Sequence, residues 1–108
     1  METSNAAELL AALGHESRLS IFRLLVEAGA DGLNAGALCE RLGLPAPTLS
    51  FHLSHLSRVG LIHGQRESRF IRYSAAYCVM DELIAFLMQD CCKGKPCLSV
   101  PYSRSETV

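Results

Sequence analysis

Between Pro45 and Tyr73 the chain reads P-A-P-T-L-S-F-H-L-S-H-L-S-R-V-G-L-I-H-G-Q-R-E-S-R-F-I-R-Y. Leu49, Leu53 and Leu56 recur at i, i+4 and i+7, which lines one face of a helix. The opposite face carries Phe51, Ser54, His55 and Arg58, with Pro47, Thr48 and Ser50 near its N-terminal end. Gly60 ends the helix. Leu61–Arg66 and Arg69–Ser74 follow as two short runs split by Glu67-Ser68, which is a hairpin signal. A helix that presents small polar and aromatic groups, followed by a ribbon bearing Arg66, Arg69 and Arg72, has the form of a winged helix. Such a helix enters the major groove of DNA and the ribbon lies along the phosphates.

Upstream, Ala6–Leu13 reads as a short apolar helix broken at Gly14-His15. A second helix is expected from about Ser17, its cap, to Ala28, with Leu19, Phe22, Leu25 and Val26 on one stripe. Gly29 and Gly32 end it and make the turn. Asn34 caps a third helix through Leu42, which Gly43 closes. Residues 34–59 thus read as helix, short turn, helix, the helix-turn-helix pattern. The fold class is mainly α with a small β-hairpin.

Downstream, a last helix is expected over about Ala76–Cys91. Val79, Met80, Leu83, Ile84, Phe86, Leu87 and Met88 spread over roughly 200° of its surface, about twice the stripe that one core needs. Such a helix touches two neighbours. The second is most simply another copy of the chain, with Leu9, Leu10 and Leu13 joining Met80, Leu83, Ile84 and Leu87 at the seam. A homodimer matches the paired, pseudo-palindromic half-sites that helix-turn-helix proteins read.

The end of that helix carries C-C-K-G-K-P-C, residues 91–97. Gly94 and Pro96 break the helix so that Cys97 can return towards Cys91 and Cys92. Lys93 and Lys95 favour thiolate over thiol. Soft thiolates select soft ions. Three close thiols, with no nearby histidine or carboxylate except Asp90, suit a three-coordinate centre better than tetrahedral zinc, which wants a fourth donor. Trivalent arsenic or antimony, with a lone pair in the fourth place, fits this set. A redox pair such as Cys92 with Cys97 is the alternative. Cys39, beside Leu38 and Leu42, is expected as a small buried apolar residue, and Cys78 likewise. His52 flanks the leucine face and is expected to pack, whereas His55 points outward; His15 and His63 have no evident partner.

Composition bounds the rest. The chain has 108 residues, 49% hydrophobic and 19% charged, with a formal net charge of −1. That is one small globular domain, expected over 1–92 with a tail of 93–108, and it leaves little room for a catalytic cleft. No nucleophile elbow, phosphate loop or carboxylate pair occurs, so an enzyme is not expected. No apolar run is long enough for a signal sequence or a membrane span. Five cysteines, an odd number, point to free thiols or ligands in a cytoplasmic protein. The net charge conceals a local one. Within 41–73, Arg41, Arg58, Arg66, Arg69 and Arg72 stand against Glu67 alone, a balance of +4. Distant acids do not cancel it, because exposed charges beyond a Debye length of roughly 8 Å are screened.

The run L-S-F-H-L-S-H-L-S-R-V-G-L-I, with L-x-H-E-S-R-L-x-I-F-R-L-L upstream and R-E-S-R-F-I-R-Y downstream, resembles the ArsR family of metalloregulatory repressors over about residues 6–92. The resemblance implies a homodimeric winged helix-turn-helix that represses an operon until an inducer ion releases it. Departures move the sensor site. The paired cysteines of many members' third helix (C-V-C within E-L-C-V-C-D) are reduced to Cys39 within A-L-C-E-R-L. The histidine and acid ligands of the zinc sensors' last helix are absent, with only Asp81, Glu82 and Asp90 there. Pro45 stands where a capping serine is common, and Ser68 where the wing usually has glycine. The triple Cys91, Cys92 and Cys97 resembles the arsenite-responsive subgroup with its site at the end of the dimerisation helix.

Overall fold

The computed structural model describes residues 1–94. The order is α1 (Thr3–Leu13), α2 (Glu16–Ala28), a 3-10 turn (Gly29–Asp31), β1 (Leu33–Asn34), α3 (Ala35–Leu42), α4 (Ala46–Arg58), β2 (Ile62–Glu67), β3 (Phe70–Ala75) and α5 (Tyr77–Leu87). A single irregular turn, Cys91–Gly94, follows. The expected fold class is the observed one.

Local chemistry sets the boundaries. The Asn34 side chain accepts from the Ala37 N–H at 2.8 Å and so caps α3, which ends at Gly43 in the left-handed region (φ 68°). α2 is capped by His15 and not by Ser17: the imidazole Nδ1 accepts the Ser17 N–H at 3.2 Å. Its buried stripe is Ile21, Phe22 and Leu25, and Leu19 is 45% exposed. α1, α3, α4 and β3 all pack against α2. Pro45 and Pro47 open α4 at positions where a missing N–H costs nothing. Leu49, Leu53 and Leu56 are buried as their spacing required, and His52 joins them.

The hairpin closes on Ser68-Arg69, one residue later than expected, with Ser68 at φ 57°. Its register is held at the far end, where Ile62 lies opposite Ala75 and both are buried. The sheet has a third strand that the sequence did not announce. β1 pairs antiparallel with β3, Leu33 opposite Tyr73 and Asn34 opposite Arg72. Gly32 (φ 66°) precedes it, and a Cβ there would strike the Tyr73 carbonyl. That close approach explains the glycine.

The last helix stops at Leu87, not at Cys91. Its end is held by burial, and from Gln89 to Lys93 no side chain belongs to the core cluster. Leu9 and Leu83, expected at a subunit seam, are 5% and 2% exposed and belong to the chain's own core. α1 and α5 pack on each other, which turns those two residues inward. Leu10 and Leu87 remain exposed, and Leu13, Met80 and Ile84 are half-buried. Cys78 is exposed, since it lies about 140° around α5 from Leu83. Cys39 is half-buried against the core. No helix among the described residues is long and apolar enough to cross a membrane.

Candidate nucleic-acid interface

α4 divides cleanly at 100° per residue. Pro47, Phe51, Ser54 and Arg58 fall within about 60° of one another, diametrically opposite Leu49 and Leu56. Thr48 and Ser50 flank that stripe, and all six are exposed. Phe51 is 67% exposed, an unusual position for a ring that the fold could have buried. His55, expected to point outward, is half-buried. Burial, then Arg18 and Arg58, hold its pKa below the usual histidine value.

Beneath the exposed face a polar cluster fixes α4. His52 is buried among leucines, its ring centroid 4.7 Å from that of His15. The Arg18 guanidinium lies 3.4 Å from His52 Nδ1, and its Nε donates to the Ala12 carbonyl at 2.7 Å. A guanidinium only donates, so Nδ1 must be the unprotonated nitrogen and His52 the neutral Nε2–H tautomer. Burial first, then His15, Arg18 and His55, lower the His52 pKa, which agrees with that assignment. His15, without a partner in the sequence reading, thus has two roles, capping α2 and packing on His52. His63 stands 3.5 Å from the Ser74 hydroxyl.

The three wing arginines part company. Arg66 and Arg69 are exposed and have no hydrogen-bond or ion-pair partner among the described residues. Arg72 is engaged. Its Nε donates to Glu67 Oε1 at 3.0 Å, a second nitrogen lies 2.9 Å from the same oxygen, and the third donates to the Asp31 carbonyl at 2.7 Å. Arg72 therefore ties the wing to the 3-10 turn and neutralises the wing's one acid. Sequence spacing placed it in the basic stripe, but the bracket needs Asp31, 41 positions away.

The described part of the cysteine cluster lies beyond the last helix. Asp90, Cys92 and Lys93 take left-handed φ values of 57°, 52° and 59°. Cys91 is half-buried and its thiol sits 3.7 Å from the Cys92 sulfur. Cys92 is disulfide-bonded. Cys97 lies outside the described residues, and within them no three His, Cys, Asp or Glu side chains converge on a metal position.

Residues 13–65 match the model of a helix-turn-helix domain. The chain is 38% identical over 87 residues to the HTH-type transcriptional regulator YgaV of Escherichia coli, covering 81% of this chain and 86% of that protein. A reduced form of HlyU from Vibrio cholerae superposes with a TM-score of 0.67 at 31% identity, covering 83% of this chain and 92% of that one. An ArsR-like transcriptional regulator from a Rhodococcus species gives a TM-score of 0.69 at 28% identity, over 78% and 76% of the two chains.

Proposed function

The chain belongs to the ArsR family of winged helix-turn-helix transcriptional regulators, and from that premise we propose a cytoplasmic homodimeric repressor released from DNA by trivalent arsenic or antimony. That it is a DNA-binding regulator and not an enzyme follows from the family. The exposed stripe of α4 supplies the base-reading groups, Thr48, Phe51, Ser54 and His55, with Pro47, Ser50 and Arg58 at their margins. Arg66 and Arg69 hold phosphates. Two such faces, one from each subunit, bind half-sites roughly 34–36 Å apart on a pseudo-palindromic operator. The stripe Met80, Ile84 and Leu87, with Leu10 and Leu13, supplies the subunit seam.

The inducer reading is carried by one observation: three thiols within seven residues shortly after the last helix. The donors suit the ion. The Cys91 and Cys92 sulfurs stand 3.7 Å apart, near enough for one soft ion to be shared by both. Cys91, Cys92 and Cys97 of one subunit would hold the ion as thiolates, once Cys92 is reduced. Ligation reorganises the turn that follows α5. A ligand shifts an equilibrium only through differential affinity for its two states, and here the states differ in the spacing of the recognition helices.

A thiol-redox regulator using the same cysteines is the second reading. It is favoured by the disulfide at Cys92 and by the description of one HlyU relative as a reduced form. Titrating the reduced protein–duplex complex with arsenite and, separately, with peroxide distinguishes them. On the first reading arsenite releases DNA, and Cys91→Ser, Cys92→Ser and Cys97→Ser each blunt release while keeping DNA affinity. Cys39→Ser and Cys78→Ser release as the wild type does. Loss of release in Cys39→Ser alone would place the sensor elsewhere.

A further inference from the structure

The wing ends in a ring that the fold does not use. Of four phenylalanines, Phe22 is buried and Phe86 packs against the core, whereas Phe51 and Phe70 are 67% and 59% exposed. The two exposed rings stand on the two elements that meet DNA. Phe70 opens β3, opposite Glu67 and next to the Ser68-Arg69 turn. Strand alternation puts it on the sheet face of His63, Gln65, Glu67, Arg72 and Ser74, all polar. The other face, through Ile71 and Tyr73, runs down to buried Ala75. No apolar neighbour on its own face covers the ring.

The charges around Phe70 say what does. Glu67, directly opposite, is neutralised by Arg72, and Arg72 is tied back to the Asp31 carbonyl. Arg69, in the turn beside the ring, and Arg66, opposite Ile71 on the other sheet face, keep their charges unpaired among the described residues. An apolar ring next to the free cation of the turn, with a second on the opposite sheet face, complements a groove floored by base and sugar edges and walled by phosphates. The minor groove, about 6 Å wide, admits a side chain but not a two-stranded ribbon, so only the tip enters. Apolar wedges at minor-groove steps are an established way of bending a duplex, and easily unstacked pyrimidine–purine steps take them best.

We propose that Phe70 contacts DNA directly, as an apolar wedge seated in the minor groove beside each half-site while Arg66 and Arg69 grip the flanking phosphates. The proposal rests on the DNA-binding reading and adds a shape-reading residue to it. Phe70 selects deformable steps outside the sequence that α4 reads.

The test uses a duplex that the protein itself selects from a random pool, with Phe70→Ala, Phe70→Leu and Arg69→Ala compared by fluorescence anisotropy across salt concentrations. Phe70→Ala should weaken binding about tenfold or more with an unchanged salt slope, because a ring releases no counterions. Phe70→Leu should keep most of the affinity. Arg69→Ala should flatten the slope. 2-Aminopurine at the outer steps should brighten on binding wild type and stay dark with Phe70→Ala. Affinity of Phe70→Ala within twofold of wild type overturns the proposal. So does a change in the sedimentation of the free protein, which would make the ring a protein contact, or an unfolded Phe70→Ala, which would make it structural. A wild-type chain that selects no duplex would overturn the DNA reading instead.

Discussion

Arg69 and Arg72 sit three residues apart on one hairpin, and the structure gives them different work. Arg69 is exposed with no partner among the described residues, while Arg72 spends its donors on Glu67 and the Asp31 carbonyl. Each phosphate neutralised in B-DNA contributes about 0.9 to the slope of log affinity against log salt. In a dimer Arg69→Ala removes two such contacts, so the slope should fall by about 1.8. Between 50 and 200 mM salt, a fourfold change, that difference alters the ratio of wild-type to variant affinity about tenfold. Arg72→Ala should change the slope far less than Arg69→Ala does, and only through the Glu67 charge it leaves unpaired. Its loss falls on the fold: both partners of the Arg72–Glu67 pair are nearly half exposed, at 46% and 48%, and such pairs contribute about 0.2–1 kcal/mol. The bond to the Asp31 carbonyl adds about as much. A melting point lowered by a few degrees is expected, with a modest loss of affinity. Anisotropy titrations of the two variants at four salt concentrations decide the matter. A slope lowered equally by Arg72→Ala would refute the bracket, because Arg72 would then be leaving Glu67 for a phosphate.

Two further outcomes follow from burial. Leu87 is 52% exposed and Leu83 2% exposed on the same helix, so Leu87→Asp should give a folded monomer by sedimentation and circular dichroism. Leu83→Asp should lose about 3–5 kcal/mol, enough to unfold most of the chain; a monomeric wild type would remove the seam. The His52 pKa is lowered below 6.5 in the folded chain. The unfolded chain therefore binds a proton first as pH falls, and the stability held above pH 6.5 declines towards the folded pKa. Urea midpoints from pH 7.5 to 5 should show that decline, shallower in His52→Gln, with a residue left from His55; an equal decline in both would discharge His52.

What the sequence determined by itself was whatever repeats or caps locally. The leucine spacing of α4, the Asn34 cap, the Gly43 stop and the hairpin ribbon were legible because 3.6-residue and two-residue periods are written into neighbouring positions. So was the motif-level likeness to its family. The thiol cluster was visible as spacing alone, and its Cys97 lies outside the described residues. Other features required the chain to be folded. A two-residue strand such as β1 has no period to detect; it exists because β3 offers a free edge beside Gly32. The apolar arc of α5 was plain, but which part is core and which is surface depended on where α1 lay against it. The end of that helix at Leu87 depended on where burial ran out. His15 and Arg18 meet His52 across 34 to 37 positions, and Arg72 meets Asp31 across 41. Electrostatic and packing partners are chosen by distance in space, and local sequence carries no record of that distance.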